Sequence, residues 1–152
     1  GCPALPAEDY EEIIDEIEKN EKAEREKTEK HRIETQKEKA RKIIRVSRYY
    51  ASRPNSASGV DFSIVWQNKS KKTVKYATFE VLPYSAVGDN SYFTGQVTGP
   101  IKSGGWYGNS TQWSNAWYNS TIKKIKLTEI KIEYIDGTKE SLYGDDIEYV
   151  VY

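Results

Sequence analysis

Between Gly59 and Asp89 the apolar residues of this chain fall at every second position, and that run limits what the rest can build. Val60, Phe62, Ile64 and Trp66 alternate with Asp61, Ser63 and Gln67, the period of a strand with one face buried. From Thr73 to Tyr84 the alternation resumes, with Ala77, Phe79 and Val81 on one face and Val74, Tyr76 and Leu82 on the other. Asn68 to Lys72 carries no apolar residue and reads as a tight polar turn, so the two strands make a hairpin that ends at Pro83 and Gly88-Asp89. A lone hairpin is not stable in water. The strands that follow must complete its sheet.

Other segments continue the pattern. Ile43 to Ser52 is rich in β-branched and aromatic residues, with Ile44, Val46, Arg48 and Tyr50 on one face. Arg53 to Gly59 is a loop by composition. Tyr92 to Thr98 is a short strand, and Thr98-Gly99-Pro100-Ile101 with Gly104-Gly105 brackets another loop. Trp106 to Tyr118 is strand with a break near Gly108-Asn109. Ile122 to Tyr134 is long, and its apolar parity flips between Leu127 and Ile130, which predicts a bulge at Thr128 or Glu129. Asp136-Gly137 is the strongest hairpin signal in the chain. The tail from Gly144 to Tyr152 adds an edge strand or wanders. About seven strands with turns every 8 to 12 residues predict an all-β sandwich, with a small open barrel as the other arrangement.

GVDFSIVWQNKSKKTVKY, FEVLPYSAVGD, TGPIKSG, WYNSTI and KLTEIKIEYIDGT together resemble a family of small immunoglobulin-like β-sandwich domains found in bacterial lipoproteins and secreted proteins. They are also similar to the broader FxLYD-type group of extracellular domains. The resemblance covers roughly residues 44 to 142, and the strand between Gly88-Asp89 and Thr98-Gly99 is shorter than in the family. It implies an immunoglobulin-like fold and an extracytoplasmic place, and no activity.

Residues 8 to 42 have a different character. Seven acids precede the first base, Lys19, and six bases between Lys37 and Arg48 crowd the far end, the order a helix dipole favours. Spacings of four join Asp15 to Lys19, Glu18 to Lys22, Glu21 to Arg25, Glu26 to Lys30 and Glu38 to Lys42. Each such pair contributes about 0.2–0.5 kcal/mol. Ile13, Ile14 and Ile17 form a small apolar patch, but between Glu18 and Arg32 the one apolar residue is Ala23. Heptads of the coiled-coil kind are missing, so a single solvated helix is predicted, roughly 50 Å long. It is either a stalk that lifts the β domain off a membrane or a helix that docks by its ends on a neighbouring copy.

Gly1-Cys2 followed by Pro3-Ala4-Leu5-Pro6-Ala7 resembles the mature start of a bacterial lipoprotein, in which the cysteine is lipidated and a flexible tether follows. That implies a lipid anchor at Cys2 and a place in the cell envelope, periplasmic or surface. The other reading of Cys2 is a free thiol near a disordered end. The expected organisation is a tether over 1–7, a helical stalk over 8–42 and a β-sandwich over 43–152.

Net charge is zero over 152 residues, which argues against general nucleic-acid binding. There is one histidine and one cysteine, so nucleophilic triads and zinc cages lack their parts. His31 sits in the solvated stretch of the helix. Asp61, Asp89, Asp136, Asp145, Asp146 and Glu148 remain, and they read as turn formers and a solvated edge. No enzymatic activity, metal or cofactor is expected. Binding is the better class, and a protein or a glycan is the expected ligand. Trp106, Tyr107, Trp113 and Trp117 crowd one segment, and Trp113, Asn115 and Trp117 share a strand face with the indoles about 13 Å apart. Exposed, these rings make a stacking platform for a glycan or peptide. Buried, Trp117 and Trp113 belong to the core.

Overall fold

The computed structural model describes residues 7–108 and 112–152. The chain divides into two compact units, residues 1–36 and residues 37–152. Helix α1 (Ala7–Arg41) supplies the first and ends inside the second. Every side chain from Tyr10 to Arg32 is exposed. Of the five charge spacings, Glu38–Lys42 closes to 3.6 Å, while Arg32 pairs with Glu29 three residues back at 2.5 Å. The other four do not close within 4 Å among the described residues, as expected of exposed pairs whose side-chain entropy rivals their attraction.

The second unit holds eight strands among the described residues, β1 (Ile44–Ala51), β2 (Gly59–Asn68), β3 (Val74–Ser85), β4 (Phe93–Ile101), β5 (Trp106–Tyr107), β6 (Trp113–Tyr118), β7 (Ile122–Tyr134) and β8 (Lys139–Tyr143), then a short helix α2 (Asp145–Val150). They form two antiparallel sheets. In one, β2 pairs with β1 on one side and with β5 and β6 on the other; the second runs β4-β3-β7-β8. Phe62 and Phe93 meet across the layers at 6.1 Å, and Trp66 and Phe79 at 5.7 Å. Val60, Phe62, Ile64 and Trp66 of β2 are fully buried, as are Ala77, Phe79 and Val81 of β3. The sandwich expected from the sequence is therefore present at this level.

The expected hairpin between β2 and β3 is not. The two strands lie in different sheets, and the polar run between them carries the chain from one layer to the other. Asn68 is the reason. It ends β2 with its side chain fully buried, and its Nδ2 donates to the carbonyls of Lys72 at 2.8 Å and Ile101 at 2.9 Å. Its Oδ1 accepts from the Ser70 N–H at 3.0 Å and hydroxyl at 2.6 Å. Asn119 makes the same pair of bonds with Thr121, and Asp136 with Thr138. Each acid or amide followed two residues later by a hydroxyl is a turn held by its own side chain.

Three other expectations change. A bulge between Val46 and Arg48 in β1 reverses the parity, so Tyr49 and Ala51 pack on the core while Arg48 and Tyr50 are exposed. Strand β4 runs on through Gly99-Pro100 to Ile101, because Ile101 pairs with Val74 and is buried. The tail is helix α2, with Ile147 and Val150, three apart on one helical face, both buried. The bulge expected in β7 is present, since the register with β3 slips between Glu129 and Leu127 and leaves Thr128 unmatched. The Asp136-Gly137 turn joins β7 to β8 as expected.

Candidate functional site

Strand geometry sorts the four aromatics singled out by the sequence. Arg45 of β1, Gln67 of β2 and Trp106 of β5 are in register, so their side chains stand in a row on the outer face of their sheet. Tyr107, one residue on, pairs with Trp66 and turns to the other face, where its ring lies 6.1 Å from that indole. Trp113 and Trp117 pair with Phe62 and Val60 and also face inward. Trp113 stacks on Phe62 at 5.3 Å. Trp117 is 7% exposed and its Nε1 donates to the Ser91 carbonyl at 3.0 Å. Asn115, with φ 53°, lies in the irregular stretch between them. Its side chain accepts from Asn55 at 3.0 Å, and its N–H donates to Asp61 at 2.8 Å. Trp113 and Trp117 thus share a face, and that face belongs to the core. Cys2 lies outside the described residues.

Of the four aromatics, Trp106, at 50% exposed, and Tyr107, at 37%, are the ones open to solvent, on opposite faces of one sheet. Gly108 ends β5 with φ 99°, and a Cβ there would collide with the Ile64 carbonyl. Glycine thus lets the chain leave the sheet close beneath β2.

The sequence reading missed what surrounds Trp106. The Arg45 guanidinium lies 5.8 Å from the Trp106 ring and 4.7 Å from the Tyr152 ring, and its Nε donates to the main-chain oxygen of Tyr152 at 2.9 Å. Arg41 approaches the same tyrosine at 4.0 Å and donates to the Tyr149 carbonyl at 2.8 Å. Further along the outer face, Arg48 lies 5.9 Å from Tyr50. Arginines held over exposed rings form a positively charged, aromatic surface. Tryptophan, tyrosine and arginine are the residue types that concentrate binding energy at interfaces. The outward parity of Arg45 was legible in the sequence; Tyr152 arriving beside it was not, because that depends on α2.

The displaced titrations lie elsewhere and have local causes. The Asp136 carboxyl is lowered to about 2 by the Thr138 hydroxyl, then the Thr138 N–H, then Lys72. Burial raises the Tyr134 phenol. A hydrogen bond from Arg32 lowers Glu29. No group of three or more His, Cys, Asp or Glu residues suited to a metal occurs among the described residues, and no described helix is long and apolar enough to cross a membrane. Comparison with protein-family models, with curated proteins and with solved structures finds no match for this chain.

Proposed function

We propose that this chain is a non-catalytic module of the bacterial cell envelope: an immunoglobulin-like sandwich on a helical spacer, anchored through lipidated Cys2, that binds partner proteins. The observation that carries the binding role is the Arg45–Gln67–Trp106 row with Tyr152 beside it. An exposed indole with the Arg45 guanidinium beside it gives a partner apolar area and directed charge together. Two four-stranded antiparallel sheets, bridged by the Asn68 crossing, support the immunoglobulin-like assignment. The cysteine followed by a Pro/Ala-rich tether supports the anchor.

Two measurements test the reading. A photo-crosslinking amino acid in place of Trp106, in envelope-borne protein, should give a discrete adduct. The same group in place of Tyr143, exposed on β8, should not, and equal adducts from both positions would remove the interface. Radioactive palmitate should label the precursor and fail to label Cys2→Ser. Labelling that survives the substitution removes the anchor. A glycan is the second ligand class, favoured by the 50% exposure of Trp106. With Trp113 and Trp117 turned inward, it stacks on one indole, and an oligosaccharide that shields Trp106 emission from acrylamide would identify it.

A further inference from the structure

We propose that an acidic peptide in extended form adds as a strand to the free edge of β7, in the cleft between β1, β7 and α2. This rests on the protein-binding role above and gives it a second place and a partner chemistry. The long strand β7 is paired on both sides only from Glu129 to Glu133. From Ile122 to Thr128 it has β3 on one side and, among the described residues, no strand on the other. At about 3.3 Å per residue this free stretch is roughly 23 Å long.

A cleft of about 520 Å³ opens beside it. Lys124, Ile125, Lys126 and Leu127 all line this cleft. Successive strand side chains point to opposite faces, so a cleft bordered by four in a row meets the strand at its edge. That is where main-chain N–H and C=O groups without a ladder partner lie, and they are what strand addition uses.

The side chains then specify the visitor. Lys124 pairs with Tyr84 and Lys126 with Leu82, on the outer face, whereas Ile125 pairs with Pro83 and Leu127 with Val81, on the inner face. A residue opposite each on an added strand shares its face. Acidic side chains at alternate positions would meet the lysines. Small apolar ones between them would enter over Ile125 and Leu127 toward Ile147 and Val151, which line the far side. Neither lysine has an ion pair within 4 Å among the described residues, and the Lys124 ammonium rests 5.9 Å from the Tyr84 ring. Glu148 is the acid lining the cleft, on α2. It opposes the peptide, but two lysines outnumber it. Edge lysines turn away neutral and basic strands, and the same charges admit an acidic one.

The test uses the full chain and a capped hexapeptide of alternating Glu and Val, followed by amide NMR and calorimetry at low salt. Shifts are expected at residues 122–128, Tyr49, Tyr84 and α2. The K124E/K126E double variant should bind at least about tenfold more weakly and should acquire affinity for a Lys/Val peptide. Both lysines are exposed, so an unchanged Tm verifies that the variant folds. Methylating the alternate amide nitrogens along one edge of the peptide should abolish binding, and along the other edge should leave it intact. Absence of binding at millimolar peptide, equal affinity for Glu/Val and Lys/Val peptides, or insensitivity to both methylation patterns would each overturn the β7 site. A crosslinked adduct from position 106 alongside a silent peptide would overturn this site and keep the partner-binding role. A bound peptide with no adduct would do the reverse for the Trp106 face.

Discussion

The helical unit and the β unit obey opposite rules. From Tyr10 to Arg32 nothing is covered, whereas Phe62, Trp66, Phe79, Leu127 and Ile130 are wholly enclosed. The difference lies in where each backbone finds its hydrogen bonds. A helix satisfies its amides four residues away and stands on local propensity. A strand finds no partner within itself, so each β segment is stable only with the sheet and core around it.

The sharpest way to break that contrast is to make the same kind of cut in each unit. Phe62→Ala removes a ring that touches Trp113, Trp117 and Phe93 and should cost about 3–5 kcal/mol. Urea denaturation should find the β unit near or past its unfolding limit. Ile14→Ala, on the exposed helix, should stay within about 0.5 kcal/mol.

Asn68→Ala is next in size. It leaves the Lys72 and Ile101 carbonyls without their donor beside a buried side chain and should cost about 2–4 kcal/mol. Asn68→Asp, with no amide to donate, should not rescue it. A cost near zero in thermal melts would mean the crossing is held by its strands alone.

Truncation sharpens where the two rules meet. Removing residues 1–36 should move the Tm of the remainder by a few degrees at most. Removing 1–41 also takes the buried Ala40 and the Arg41 bond to the Tyr149 carbonyl, and should lower Tm by several degrees more. Equal melting of the two truncations would place the last turn of α1 outside the cooperative unit.

The smallest effect expected is acid-dependent. The Asp136 carboxyl sits at about 2 in the folded chain against an ordinary value of 3.8. Its contribution is complete above about pH 5, shrinks as pH falls below the unfolded value of 3.8, and is lost as pH falls through 2. Asp136→Asn should flatten that part of a stability-against-pH curve and leave the curve above pH 5 parallel to the original.

The sequence carried the sandwich because period-two burial leaves its mark residue by residue: Val60, Phe62, Ile64 and Trp66, all inward in β2, were legible. So was the Thr128 bulge, from a parity break. Ser47 made the same kind of break in β1, but there Arg48 and Tyr50 looked like a continuing amphipathic face. The crossing at Asn68 was unreadable because a polar turn between two strands is equally good chemistry for a hairpin. What separates the two is Ile101, 33 residues away. The candidate site was half legible for a related reason. An aromatic cluster is visible in a sequence, while the face each ring takes depends on register with β2. Arg45 and Tyr152 come together only through the fold.

One contact in the core has a bearing on how such a chain diverges. A Cβ added at Gly95 would lie 2.5 Å from the Trp113 indole, a ring already stacked on Phe62. Alanine at position 95 is thus closed to drift while Trp113 stays, and a smaller residue at 113 alone would leave a void over β4. The two positions can change comfortably only together. Among descendants of this sequence they should covary, glycine with tryptophan and a larger residue with a smaller one, and that correlation would report the packing of β4 against β6 without any structure being solved.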